Sequence, residues 1–370
     1  MDPKISVLLG TKAEMIKIAP VLKELEKRGL AYRLIETGQH GAYLDRLRKE
    51  FNIREPDVRL GKKKDVDTFF EACKWLCGLA PIIFQKKRLR QEIFSLSTEV
   101  CLVHGDTPST LIGTIFAKRA GLKIAHLESG LRSGNYRNPF PEEAIRVIVM
   151  KLSDVLFAPD TEAVSNLQKL KVKGRIEETT INTGIESLEE NIETVEPSSG
   201  PVVVTLHRVE NLHNRNRLNG FLELLEQIKR KGQEVLFVVH QPTQEVLKKQ
   251  GMERKLTELG ITMVPLMPYK EFVEKLASAP YVITDGGSIQ EETAHMGIPC
   301  LLWRRKTERQ NGLGHNVVIS NHDMRISENF LENFQKHRRE AKKETFNPSS
   351  QIVDVLENAQ KQISSGVFFS

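Results

Sequence analysis

Residues 281–292, Tyr-Val-Ile-Thr-Asp285-Gly286-Gly287-Ser288-Ile-Gln-Glu-Glu292, run from an apolar strand into a helix-like stretch through a carboxylate, two glycines and a serine. Such a junction aims unpaired backbone N–H groups and the positive end of a helix at one point, which suits a phosphate. Gly286 and Gly287 allow close approach, and Ser288 is placed to cap the helix or to donate to a phosphate oxygen. An ordinary capped βα turn uses the same residues, so the motif acquires meaning from its company. Strand after strand ends in groups able to move protons or hold charge. Residues 6–9 lead to Gly10-Thr11-Lys12, residues 33–37 to Gly38-Gln39-His40, and residues 100–103 to His104-Gly105-Asp106. Residues 123–127 lead to Glu128, residues 202–206 to His207-Arg208, and residues 234–239 to His240. In open parallel α/β sheets ligands sit outside the carboxyl ends of strands, so this pattern predicts a binding cleft.

Positioning these residues requires alternating strands and helices, and the chain supplies them. The spacing predicts helices near Glu14–Arg28, Ala42–Phe51, Thr68–Leu79 and Ser109–Ala120. Another starts at Pro141-Glu142-Glu143, with proline at the helix start and acids in the first turn. The stretch from Glu190 to Gly200 is polar and ends Pro-Ser-Ser-Gly, the best linker candidate. A second βα series then runs from Val202 to about Val318, followed by two amphipathic helices near Glu328–Ala341 and Ser349–Ile363. The expected fold is α/β, two Rossmann-like domains facing across a cleft, with residues 1–190 carrying the acids and 200–370 the nucleotide site. The tail helices are expected in the second domain or packed back on the first.

Composition narrows the partners. The 370 residues are 39% hydrophobic and 28% charged, with a net charge of +6. An anionic ligand fits that charge, but aromatic residues are only 6% and no nucleic-acid-binding motif is present, which favours a small phosphorylated ligand over a polymer. No apolar run reaches transmembrane length and the N-terminus does not read as a signal peptide. Cys73, Cys77, Cys101 and Cys300 fit a reduced, cytoplasmic protein, and the Cys73/Cys77 pair has no second ligand pair for zinc. Residues 62–95 are basic and rich in aromatics, a pattern that serves a membrane-facing surface, a dimer contact or a helix pair packed on the sheet.

Eight motifs then form one ordered series. They are Gly10-Thr11-Lys12-Ala13-Glu14 with Lys17 and Pro20; Thr37-Gly38-Gln39-His40; Val103-His104-Gly105-Asp106-Thr107; and residues 126–132, His-Leu-Glu-Ser-Gly-Leu-Arg. Pro141-Glu142-Glu143, residues 205–211, residues 285–292 and Thr307-Glu308-Arg309 complete it. In order and spacing, over roughly residues 4–318, this resembles the non-hydrolysing UDP-N-acetylglucosamine 2-epimerases. The resemblance implies a glycosyltransferase-B-like fold, a homodimer, and an isomerase that interconverts UDP-GlcNAc and UDP-ManNAc for surface polysaccharide precursors with no metal or other cofactor. The implied route eliminates UDP to a 2-acetamidoglucal and then adds it back. Asp106, Glu128 and Glu142 match the family's catalytic acids, and His207 its histidine beside the diphosphate. Lys12, Lys17, Arg146, Gly286, Gly287, Ser288, Glu292 and Arg309 are the implied substrate contacts, with Glu292 on the ribose and Arg309 on a phosphate or holding Glu308. Gln39, His40 and His240 match an activator site.

Residue by residue, simpler roles exist beside these. Glu142 is also a helix-start acid answering the dipole, Asp106 also part of a cap through Thr107, and Lys17 also a solvated helix lysine. Three departures from the family pattern stand out. Lys12-Ala13 replaces Arg-Pro, Gly286-Gly287-Ser288 replaces Ser-Gly-Gly, and Gln241 follows His240 in place of Asn. A hydrolysing 2-epimerase, an epimerase for a UDP-diacetamido sugar and a UDP-sugar glycosyltransferase share much of this pattern.

Overall fold

Two parallel sheets organise the chain in a computed structural model that describes residues 2–61, 65–66, 69–135, 141–192, 196, 198–342 and 346–364. Compact units comprise Met1–Ser187 with Thr345–Ser370, and Leu188–Glu344. In the first, β1 (Ile5–Leu9), β2 (Tyr32–Glu36), β3 (Val58–Arg59), β4 (Val100–His104), β5 (Lys123–Leu127), β6 (Val155–Ala158) and β7 (Arg175–Glu178) pair in the order β3-β2-β1-β4-β5-β6-β7. In the second, β8 (Val202–Leu206), β9 (Val235–Val239), β10 (Thr262–Pro265), β11 (Val282–Thr284), β12 (Cys300–Leu302) and β13 (Val317–Ile319) pair in the order β10-β9-β8-β11-β12-β13. All pairings are parallel, and each order reverses direction once, between β1 and β4 and between β8 and β11. Those switch points are where a doubly wound sheet opens a crevice for ligands.

The central strands are largely apolar, as strands of a parallel sheet buried on both faces must be. β1, β4, β8 and β9 are buried along their whole length. The second core centres on Phe221, Phe237, Tyr281, Trp303 and Phe330. Helices expected from periodicity form with small shifts at their ends. The first spans Lys12–Lys27, two residues earlier than expected, because Thr11 caps it and Glu14 closes a capping box rather than opening the helix. The tail helices span Met324–His337 and Pro348–Ser364, and the last packs on Lys12–Lys27 in the first unit. Part of the polar stretch 190–200 lies outside the described residues, as does Lys62-Lys63-Lys64.

Among the described residues of 62–95, most apolar groups pack inward. Leu79, Ile82, Leu89 and Ile93 are buried, Trp75 donates its indole N–H to Thr37 O at 2.9 Å, and Phe84 stays 80% exposed. The side chains of Phe69, Phe70 and Cys73 lie outside the description. No described helix is long and apolar enough to cross a membrane.

Candidate active site

Site residues fall into two groups, one in each unit. In the first unit they gather at the switch point between β1 and β4 and at the neighbouring end of β5. Glu14, buried at the start of the first helix, accepts from Gly10 N at 2.6 Å, Thr11 N at 2.9 Å, Thr110 Oγ1 at 3.0 Å and Thr107 Oγ1. Burial pushes its pKa above the ordinary value, against the pull of these donors. It therefore ties the β1 turn to the Thr107 cap that follows Asp106. That cap is real, so Asp106 stands beside it rather than supplying it: Thr107 itself accepts from Thr110 N.

Asp106 is held by Arg146 Nη2, and Arg146 Nη1 donates to Glu143 Oε2 at 2.8 Å. Glu143 is fully buried and takes a second cation, Arg132 Nε at 2.5 Å, plus Ser133 N at 3.2 Å. Glu142 and Glu143 open the helix Glu142–Leu152, where Glu142 is half-buried. Two adjacent acids that look alike in sequence thus separate: Glu143 is fully buried and anchors Arg146, whereas Glu142 is only half-buried. Burial on helical spacing is what marks Glu143, and the i, i+3 interval to Arg146 was its only sequence signal.

Glu128 follows β5 with φ of 60°, a left-handed conformation that is uncommon and costly for a residue with a side chain. Its Oε2 accepts from Lys17 Nζ and from Asn182 Nδ2 at 2.7 Å, and lies 3.5 Å from His104 Nε2. Lys17 is buried rather than solvated, which disposes of its simpler role. His126 lies on β5 beside these groups, its Nε2 2.7 Å from Gly105 O and its Nδ1 2.7 Å from Ser129 Oγ. Burial lowers its pKa to about 4, so it is a neutral strut holding the peptide before Asp106.

Lys12 meets His40 through its backbone, with N donating to Nδ1 at 3.5 Å, and burial lowers the His40 pKa to about 4. Gln39 Oε1 accepts from Ser109 Oγ at 2.7 Å. Gln39 and His40 thus sit beside the β1 turn in the first unit, while His240 belongs to the second.

In the second unit the groups meet at the β8–β11 switch point. His207 and Asp285 follow these adjacent strands, and His207 Nδ1 lies 3.1 Å from Asp285 Oδ1. The approach is bent away from a straight hydrogen bond but close enough for charge pairing. The His207 ring stacks on His240 with centroids 4.7 Å apart. Gly286 makes room for that ring, since a Cβ there would stand 3.1 Å from His207 Cε1.

The helix Gly287–Met296 starts earlier than expected. Gly286 is its N-cap and no side chain caps it, so Ser288 is an in-helix residue of the first turn and does not cap. Glycine at the cap and first position leaves no side-chain acceptor, so the first N–H groups keep no intrahelical partner, the arrangement that binds anions. A Cβ on Gly287 would stand 2.7 Å from Arg309 Nε and 3.0 Å from Glu308 Oε1, so both charged groups pack directly over this turn.

Arg309 and Glu308 each have a buried partner of opposite charge. Arg309 Nη1 donates to Glu291 Oε1 at 2.7 Å, while Glu308 is held by Arg304 Nη2 at 2.7 Å and by Arg208 Nη2 at 3.4 Å. Arg208 also lies 3.5 Å from Glu210. Buried Glu292 accepts from the Tyr269 hydroxyl at 3.0 Å, a partner the sequence did not signal. No group of three or more metal-ligating side chains is found among the described residues.

The family model described as UDP-N-acetylglucosamine 2-epimerase matches residues 23–357. A UDP-N-acetylglucosamine 2-epimerase of Methanococcus maripaludis is 30% identical, covering 85% of this chain and 87% of its own. The one from Methanocaldococcus jannaschii is 29% identical, covering 87% and 90%. The crystal structure of the M. jannaschii UDP-GlcNAc 2-epimerase in complex with UDP-GlcNAc and UDP superposes with a TM-score of 0.84 at 27% identity, covering 96% of this chain and 99% of that one. The two parallel α/β units accordingly have the glycosyltransferase-B-like fold.

Proposed function

The chain belongs to the UDP-N-acetylglucosamine 2-epimerase family, and on that premise we propose that it interconverts UDP-GlcNAc and UDP-ManNAc by eliminating and re-adding UDP. One observation carries the proposal most: two of the candidate acids, Asp106 and Glu128, are each held by a buried cation, Arg146 and Lys17, at the carboxyl ends of neighbouring strands. A turn that only bound nucleotide would not need them.

Elimination requires that the C2 proton pass to a carboxylate while the C1–O bond breaks and its electron pair leaves with UDP. Glu128 and Asp106 are the oriented carboxylates for proton transfer, and Glu142 completes the set. Re-addition forms the C1–O bond again and delivers a proton to the opposite face of C2. His207 acts on the diphosphate, where charge grows as C1–O breaks, and the Gly286–Ser288 helix start holds the phosphates in ground and transition states alike. No residue in this scheme calls for a metal or a nicotinamide. The family resemblance extends the proposal to a cytoplasmic homodimer supplying polysaccharide precursors, with Gln39, His40 and His240 at an activator site.

The test is product analysis by chromatography after incubating the purified protein with UDP-GlcNAc and excess chelator. UDP-ManNAc approaching a fixed ratio from either direction supports the proposal. Stoichiometric ManNAc and UDP would assign a hydrolysing enzyme, and a requirement for an acceptor sugar a transferase. Turnover confined to a UDP-diacetamido uronate would move the substrate.

A further inference from the structure

Asp285 is fully buried and surrounded by donors. Its Oδ2 accepts from Arg208 N at 2.9 Å, Asn211 Nδ2 at 3.0 Å and His207 N at 3.2 Å. Its Oδ1 accepts from His207 N at 3.0 Å and faces His207 Nδ1 at 3.1 Å. Asn211 is itself oriented, with Oδ1 3.2 Å from His322 Nε2 and Nδ2 donating to Trp303 O at 3.1 Å. The chain of contacts His322, Asn211, Asp285, His207 therefore has a defined direction, and every amide and carboxylate in it has one workable orientation.

From this geometry we propose that Asp285 is a positioning residue for His207, holding a proton on Nδ1 so that Nε2 is the atom presented to substrate, where it takes up a second proton and, with the Asp285 charge behind the ring, donates it in a hydrogen bond to the departing diphosphate. The inference deepens the proposed function and rests on it. The physical logic is that a carboxylate has no proton to donate, so a neutral imidazole beside Oδ1 is driven to the Nδ1–H tautomer. The adjoining strands β8 and β11 set the separation, and the stack on His240 limits rotation of the ring. A purely structural Asp285 would satisfy the same three donors of Oδ2 and leave the ring indifferent to it.

Asp285→Asn separates the two. Its carboxamide oxygen keeps the Oδ2 position, because three donors meet there, and its NH₂ then faces His207. That donor forces the opposite tautomer, with the proton on Nε2. The experiment is ¹⁵N NMR of ring-labelled histidine in the full chain, at a pH where the ring is neutral, with the His207 signals assigned by loss in His207→Gln. The wild type should show Nδ1–H and an unprotonated Nε2, and Asp285→Asn the reverse, with turnover lower by on the order of 10³-fold and UDP affinity changed less than about tenfold. An Nε2–H tautomer in the wild type, or an unchanged tautomer in Asp285→Asn, overturns the proposal. Should the variant fail to fold, the wild-type tautomer alone decides. A wild type that shows Nδ1–H yet does not epimerise UDP-GlcNAc refutes the proposed function and not the pairing.

Discussion

Replacing Arg146 by methionine removes the cation that Asp106 and Glu143 share, and the two carboxylates differ in what they lose. Arg146 is 4% exposed and Glu143 0%, whereas the Asp106 side chain is 24% exposed. Breaking a buried ion pair by removing one partner costs about 3–5 kcal/mol, because the other charge stays buried. Glu143 keeps Arg132 Nε at 2.5 Å and Ser133 N at 3.2 Å, which places the loss at the lower end, about 3 kcal/mol. In a unit of about 200 residues each kcal/mol moves Tm by roughly 2–4 °C, so Arg146→Met should melt about 6–12 °C below the wild type. Asp106→Asn touches only the partly exposed arm, which solvent screens, and should cost about 1 kcal/mol or less. Both variants should lose turnover, since Asp106 loses its charge in one and its orienting partner in the other. Arg146→Lys should recover only part of the stability, because a single ammonium cannot span both carboxylates as the planar fork does. Scanning calorimetry of the variants beside turnover assays separates these outcomes. If Arg146→Met melts within about 2 °C of the wild type, or if Asp106→Asn falls as far, the assignment of Glu143 and Arg146 as a buried anchor is wrong.

Asp106→Asn, Glu128→Gln and Glu142→Gln should each lower turnover by roughly 10²–10⁴-fold while calorimetric titration still detects UDP binding; near-normal turnover in one of them would reassign that residue to structure. Gly287→Ala places a Cβ 2.7 Å from Arg309 Nε, so it should weaken the Arg309–Glu291 pair and cut UDP affinity by more than about tenfold, read by titration, with the fold retained by circular dichroism. Acid sensitivity should follow His126, whose pKa burial lowers from 6.5 to about 4. Between those values the unfolded chain binds the proton more readily, so stability is full above about pH 6.5 and falls toward pH 4, by on the order of 3 kcal/mol. His40 is depressed in the same window, so His126→Asn should flatten only part of the slope in urea titrations across that range; an unchanged slope would remove His126 from the account.

Much of this was legible in the chain because apolar runs and their polar ends carry the βα alternation directly. The strands leading to Thr11, Asp106, Glu128, His207 and His240, and the family those motifs resemble, emerge from residue order alone. What escaped notice has identifiable causes. β12 is three residues long and β7 is a short, mostly charged Arg-Ile-Glu-Glu segment at a sheet edge, so neither offers a periodic signal. The start of the helix at Gly287 was hidden because Ser288 looks like a cap, whereas backbone geometry lets Gly286 take that place. Asn182, Asn211 and Tyr269 bear no local mark of their roles, since each acts on a residue far away in sequence. Glu143 had only its i, i+3 interval to Arg146 as a signal, and the fold adds Arg132 on its other oxygen and sets it apart from Glu142.

The central claim is that the carboxylates of the first unit move the C2 proton while UDP departs and returns. It is tested most directly by ¹H NMR of the purified protein with UDP-GlcNAc in heavy water, without added metal or nicotinamide. Loss of the C2 proton signal in UDP-GlcNAc together with UDP-ManNAc carrying deuterium at C2 is the expected result. UDP-ManNAc that keeps its original C2 proton, or conversion that stops at free ManNAc and UDP, would contradict it.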